Sequence, residues 1–341
     1  MSERPIRRPW TRRLAMWVLL AFVGLAVAGK FLAWDRPLYL DLAGEVYLLP
    51  NIIDYQALRG LEGDRLRARM TRADLAVWPP VAHHPNAVRS RGTVAPLEPP
   101  SVQHWLGTDD RGRDVLARLV HGARSTCVTA LGATLAALVL SLALAILAVR
   151  AGLAGHAGRP GEGRLARIGG GVIDSAILGL CDLGAAIPAV IFVVAAQGLT
   201  GRGGAAVMIA LIAVPRAADT ARIARSAMRS ALAAPYCQAA RAIGARPMRI
   251  IVRHALPHAA PHLAVASAIT AATAVLAEAA LGFLGFGTPP PDPSWGELLR
   301  QAHENGLPWH LTVPAGVAIA AVAAALGALA QPDAQGAARS T

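Results

Sequence analysis

Lysine is all but missing, with Lys30 the single one in 341 residues. That excludes a phosphate-binding loop of the G-x-x-x-x-G-K-S/T kind, whose lysine reaches the terminal phosphates, because Lys30 is followed by Phe31 inside an apolar run. Aromatic residues make up only 5%. A formal charge of +12 would suggest nucleic acid in a soluble chain, but the arginines fall in blocks between apolar runs and few rings are present to stack on bases. Cysteine is scarce too. Cys127, Cys181 and Cys237 all lie in or beside apolar or arginine-rich segments, so no disulfide framework is expected. Neither Ser125 nor Ser175 sits in a G-x-S-x-G context, which leaves a serine hydrolase without support.

Apolar residues, by contrast, are plentiful. They form 54% of the chain against 16% charged, with a mean hydropathy of +0.43, the composition of an integral membrane protein. Six apolar runs are read as spans: Leu14 to Trp34, Ser125 to Val149, Ile168 to Leu199, Gly204 to about Thr220, Ala259 to Phe286, and Leu311 to Ala330. Pro215 and Arg216 mark the end of the fourth. The first follows RPIRRPWTRR and is open to a second reading as a cleaved signal peptide, since AVA at Ala26 to Ala28 fits a processing site. Its continuation into FLAW favours a retained span. Ala, Gly, Ser and Thr crowd the second and fifth runs, which suits close helix packing in lipid.

Short loops set the orientation. Arginines cluster before the first span, between spans two and three, and from Arg216 through Arg253, whereas the loop between spans five and six holds Arg300 with Asp292, Glu297 and Glu304. The positive-inside rule then places both termini in the cytoplasm. Residues 1–34 form the cytoplasmic N-terminus and first span. Residues 35–124 form a long outer segment, residues 125–331 the membrane core with a cytoplasmic loop at 221–258, and residues 332–341 a cytoplasmic tail. Within the outer segment, PLYLDLAGEVYLLP reads as a short hairpin around DLAG, and Pro79 to Pro100 as an extended connector. Thr108 or Asp109 is expected to cap a surface helix running to about Gly122.

The stretch YCQAARAIGARPMRIIVRHALPH, Tyr236 to His258, carries Arg241, Arg246, Arg249 and Arg253 and no acid. Pro235 permits a helix start, Gly244 a break, and Pro247 a second start. The composition is open to an ordinary amphipathic hairpin or to a knob of two short helices seated in a partner's groove. Inside the spans, Asp174, Asp182 and Glu278 are costly in lipid and should face helix partners, the interface or a water-filled path. Eight residues, about 12 Å of helix, separate Asp174 from Asp182, which argues against a shared cation site.

AARAIGA followed by RHALP resembles the coupling loop of permease subunits of binding-protein-dependent ABC importers. LGTDDRGRDVLARLVHGAR at Leu106 to Arg124 and LAEAALGFLGFGTPPPDPSWGELL at Leu276 to Leu299 sharpen the resemblance to the peptide/nickel class, and the RPLYLDLAGEVYLLP hairpin is similar to its microcin C/oligopeptide branch. The resemblance implies an all-α integral membrane fold, six transmembrane helices in a MetI-like bundle with a long extracytoplasmic segment between helices 1 and 2. It implies a transport subunit of the bacterial inner membrane that is not itself an enzyme. The partners implied are a second homologous permease, two ATPase subunits that bind ATP and magnesium, and an extracytoplasmic solute-binding protein that occupies residues 35–120 and the loop from Pro289 to Trp309. Gln238, Ala239, Ala240, Arg241, Gly244 and Arg253 become the ATPase-contacting residues, and Asp174, Asp182 and Glu278 path or interhelical groups. No cofactor, metal or catalytic residue is implied for this chain. Gln238 stands where the family has glutamate, and the tail QPDAQGAARST lacks the charged helix common in relatives.

Other readings stay open. Nickel or another small solute fits the same architecture as a peptide. An ATP-independent channel or secondary transporter would leave the arginine-rich loop as a lipid-headgroup contact. His254, His258 and His262 recur at helical spacing and invite a membrane metalloenzyme, but Pro257 and Pro261 predict a break in that helix and no acid lies nearby. His83 and His84 form a similar weak pair in the connector.

Overall fold

The computed structural model describes residues 9–61, 63–71, 74–87, 95–156, 172, 176, 179, 205–289 and 291–331. Long helices dominate these residues. Helix α1 spans Pro9–Leu32, α3 Val115–His156, α4 Ala205–Ala233, α7 Leu256–Phe283 and α9 Trp309–Leu329. Among the described residues four stretches are long and apolar enough to cross a membrane: Trp10–Leu32, Val115–Ala151, Pro247–Phe283 and Trp309–Leu329. The run Ile168 to Leu199, with Asp174, Asp182 and Pro188, lies outside the described residues except at Val172, Ala176 and Gly179.

Three boundaries differ from the sequence expectation, each for a physical reason. No separate surface helix ends near Gly122, because α3 is continuous for 42 residues. Its N-terminal carboxylate is Asp114, whose Oδ1 accepts the Ala117 backbone N–H at 2.7 Å, whereas Asp109 turns to the amides of Arg111 and Arg113. Pro215 does not end α4, which runs on to Ala233. Ala217, Ala221 and Ala224 are buried beyond the proline, so packing outweighs the one hydrogen bond that proline removes. Pro257 and Pro261 do not break the last part of the loop either. Ile251–Ala255 opens into a single wide π-turn and α7 follows directly. A widened turn relieves the clash between a proline ring and the carbonyl four residues earlier.

Between α1 and α3 lies a small three-stranded antiparallel sheet. Strands β1 (Tyr39–Leu42) and β2 (Glu45–Leu48) form the expected hairpin, and β3 (Leu75–Val77) pairs on the other side of β1. Ala43 and Gly44 both have positive φ, 55° and 87°, the geometry of a tight hairpin turn whose twist matches its strands. Leu40 and Tyr47 on one sheet face pack with Leu58 and with Leu66 of the short helix α2 (Asp64–Arg69).

Small residues let the long helices approach. Ala26 of α1, Ala123, Cys127, Ala130 and Ala133 of α3, Ala274, Val275 and Ala279 of α7 and Val322 of α9 form one buried cluster, closed at one end by Trp295. Trp295 opens α8 (Trp295–Glu304), whose Ser294 cap accepts the Glu297 amide. A side chain on Gly296 would strike the Ala279 carbonyl oxygen and approach Gly282 Cα to 2.9 Å. Glycine is thus what lets α8 lie directly on the backbone of α7.

Candidate functional site

The arginine-rich stretch folds as two short helices around a glycine. Helix α5 covers Pro235–Ala242 and α6 covers Pro247–Ile250, each with proline in its first turn, where the missing N–H has no helical partner to lose. Gly244 sits at φ +84°. Its amide reaches the Arg241 carbonyl at 2.9 Å and the Ala245 amide reaches the Ala240 carbonyl at 3.0 Å, the paired bonds of a glycine C-cap. Among the described residues, no atom lies within 4 Å of where a Gly244 side chain would start. The position therefore asks for backbone freedom, not for space.

One face of this knob is anchored and the other is bare. Cys237, Ile250 and Ile251 are buried against Ala145 and Val149 near the end of α3 and against Ala224, Met228 and Leu232 of α4. Burial pushes the Cys237 thiol above its ordinary pKa, so it serves as a small apolar side chain. On the opposite side Gln238, Ala239, Arg241, Gly244, Arg246 and Arg249 are exposed, and Ile243 is 86% exposed at the tip. Ala240 is half-buried and Arg253, in the π-turn, is exposed. Gln238 donates through Nε2 to the Ala233 carbonyl at 2.9 Å. It therefore braces the junction between α4 and α5, a bond that a carboxylate, which only accepts, could not make.

Sequence reasoning placed the exposed residues of the knob together but passed over Ile243 at its tip. The arrangement presents four cations around an apolar tip on a rigid mount. It is suited to docking on a surface that supplies acids and an apolar cleft.

The polar groups inside the bundle are structural in their visible contacts. Glu278 is wholly buried on α7, and Thr126 of α3 donates to its Oε2 at 2.9 Å. Ser125 bonds Thr288 at 2.9 Å beside it. Asp174 and Asp182 lie outside the described residues. His254 turns toward Tyr236, with ring centroids 6.0 Å apart, and His258 stands 6.4 Å from His262.

At the far end of α3 a second set of groups locks the chain. Asp109 Oδ2 accepts from Arg113 Nε at 2.7 Å, Arg118 Nη2 donates to Glu297 Oε2, and Gln301 donates to Glu297 Oε1 at 2.9 Å. Burial first, and then the Asp109 charge, lift the neighbouring Asp110 carboxyl above its ordinary range. Sequence reading took LGTDDRGRD and WGELL as separate motifs; the structure makes them one network.

The model of a family described as binding-protein-dependent transport system inner membrane component matches residues 163–331. A putative peptide permease protein of Brucella suis biovar 1 is 32% identical over 231 residues, 66% of this chain and 70% of the relative. A dipeptide transport system permease protein of Alkalihalophilus pseudofirmus is 32% identical over 222 residues, 64% of this chain and 66% of the relative. Among solved structures, a chain of the MetNI methionine ABC transporter in inward-facing conformations is similar over 62% of this chain and 93% of its own, with a TM-score of 0.50 and 22% identity. That last likeness is one of fold.

Proposed function

The chain belongs to the family of inner membrane components of binding-protein-dependent transport systems, and from that premise we propose that it is the permease half of a peptide importer driven by separate ATPase subunits. The observation that carries the coupling role is the knob, an exposed tip at Ile243 and Gly244 on a mount buried in α3 and α4. ATP-driven closure of two ATPases moves their surfaces, and a rigid knob seated on each turns that motion into a swing of the helices behind it. Gln238, Ala239, Ala240, Arg241, Gly244 and Arg253 form this contact in our reading. The names of the two relatives support peptide as the cargo class.

In the same proposal six helices cross the inner membrane, the third within the run Ile168 to Leu199, with both termini cytoplasmic and residues 35–124 outside. A second permease completes the path, and a solute-binding protein docks on the outer segment and the loop from Pro289 to Trp309. ATP and magnesium stay with the ATPases. Asp174, Asp182 and Glu278 are interhelical or path groups.

The test is to purify the tagged chain in mild detergent from its native host, identify its companions by mass spectrometry and assay ATP hydrolysis. Recovery of an ATPase and a second permease supports the proposal, provided that the Gly244→Asp variant still inserts but no longer brings the ATPase with it. Isolation of the chain alone, together with transport that follows an ion gradient and ignores ATP, refutes it.

A further inference from the structure

The hairpin of the outer segment returns to the helix it left. After β2 the Leu49 amide bonds the Leu38 carbonyl at 2.9 Å, and two residues later Asn51 Nδ2 donates to the Lys30 carbonyl at 3.1 Å. Lys30 stands just before the end of α1 at Leu32, about 3 Å back along the axis at 1.5 Å per residue. The turn at residues 49–53 therefore lies against the last turn of α1.

This turn presents aliphatic side chains to its surroundings. Leu49, Ile52 and Ile53 are 40%, 49% and 47% exposed, whereas Asn51, which points at α1, is buried. Aliphatic residues scattered singly over a surface need no explanation, but three at the tip of one turn do. The backbone there suits a place with little water. The Ile52 and Ile53 amides both bond the Leu49 carbonyl, at 2.9 and 3.0 Å, and Pro50 has no amide to satisfy. Lipid demands such internal pairing because it offers no hydrogen bonds of its own.

The neighbours of the turn separate an apolar side from a charged one. On α1, Val27 and Phe31 are exposed, and they share one side of the helix with Lys30 at spacings of three and four residues. The Asn51 bond to Lys30 thus carries that exposed apolar surface on into the turn. Lys30 Nζ lies 5.2 Å from the centre of the Trp34 ring, and these residue types mark the edge of a span. Charge begins directly after Ile53, where Asp54 pairs with Arg36 at 3.4 Å and with Arg59 at 3.2 Å.

Taking α1 as a membrane span, the reading on which this rests, we propose that residues 49–53 form an interfacial lipid anchor. Leu49, Ile52 and Ile53 enter the outer leaflet beside the end of α1, and the Arg36–Asp54–Arg59 group lies among the headgroups. Apolar surfaces of this kind settle about 5–10 Å into the boundary between headgroups and acyl chains. The anchor fixes the height of the small sheet above the bilayer and leaves the rest of the outer segment to the solute-binding protein.

The test uses the full chain in nanodiscs of phosphatidylethanolamine and phosphatidylglycerol, with an environment-sensitive NBD label on Ile52→Cys or Ile53→Cys. The parent chain, whose Cys127 and Cys237 are buried, is the blank. Val27→Cys on α1 supplies the lipid reference, and Val102→Cys, exposed in the loop before α3, the water reference. All four positions are exposed, and an unchanged unfolding temperature keeps the comparison fair. Labels at positions 52 and 53 should emit to the blue of the label at 102, lose emission to doxyl-labelled lipid and resist iodide. Iodide quenching there equal to that at position 102, with position 27 still quenched by lipid, overturns the anchor and leaves α1 as a span. Protection from both quenchers also overturns it, because protein then covers the turn. Loss of lipid quenching at position 27 overturns the anchor together with the reading of α1.

Discussion

Arg118 Nη2 donates to Glu297 Oε2 at 2.6 Å across 179 residues of sequence, with Arg118 wholly buried. Arg118 also lies 3.3 Å from Asp109 Oδ2 and bonds the Pro85 carbonyl at 3.2 Å. One guanidinium thereby joins the connector, the foot of α3 and helix α8. A buried pair of this kind contributes more to defining the arrangement than to net stability, but breaking it leaves a buried charge uncompensated.

Arg118→Met alone should therefore lower stability by about 3–5 kcal/mol. Joined with Glu297→Leu it should cost less than the two single changes added together. Denaturant unfolding of the four proteins of this double-mutant cycle in one detergent checks the coupling; additive losses would remove the network from the account.

Ile243 has no structural reason to be apolar at 86% exposure. Ile243→Ser is expected to leave unfolding unchanged and to weaken capture of the ATPase subunit by roughly tenfold, the size of a modest interface hot spot. Surface plasmon resonance with the purified ATPase measures it. An unaltered affinity would move the docking surface away from the tip of the knob.

Thr126→Val should deprive the buried Glu278 carboxyl of its hydroxyl donor and destabilise the α3–α7 packing by about 1–3 kcal/mol. Thr126→Ser, which keeps the hydroxyl, should restore most of it. Thermal unfolding in detergent separates these outcomes, and loss in Thr126→Ser with none in Thr126→Val, which keeps the methyl, would point to the methyl group instead.

Asp74 links the hairpin turn to β3. Its Oδ1 accepts the Ala43 amide at 2.9 Å, while the Thr71 amide and hydroxyl donate to Oδ2. The Ala43 and Thr71 backbone donors hold its pKa below the ordinary 3.8. A carboxyl depressed by folding contributes stability that is complete above its unfolded pKa and is lost as pH falls through the lower, folded one. Protection of the Ala43 amide from hydrogen exchange should thus persist at neutral pH and fade on acidification below about 4. In Asp74→Asn the acid-dependent step should vanish.

Local signals in the sequence were read well where one residue type decides the outcome. Pro235, Gly244 and Pro247 fix the two-helix knob through their own backbone restrictions, and the DLAG turn fixes its hairpin. Reading failed where choices compete or partners are distant. Thr108, Asp109 and Asp114 are all able to cap a helix, and only the placement of Arg113 and Arg118 around Asp109 leaves Asp114 for the task. Pro215, Pro257 and Pro261 looked like stops because the packing that carries the helices through them is non-local. Thr126 and Glu278 are 152 residues apart, and no spacing rule reports such a bond.

Helix α3 holds the Asp109–Arg118–Glu297 network at one end and the mount of the knob, Ala145 and Val149, near the other. Its 42 residues make a rod of about 63 Å at 1.5 Å per residue, roughly twice the hydrocarbon thickness of a bilayer. Such a rod is a lever with its load and its effort on opposite sides. A tilt of about 10° around its middle carries each end by about 5 Å, by the same rise per residue. In the proposed coupling, displacement at the arginine-rich tip would be delivered, undivided by any joint, to the foot of the helix where the connector and α8 are fastened.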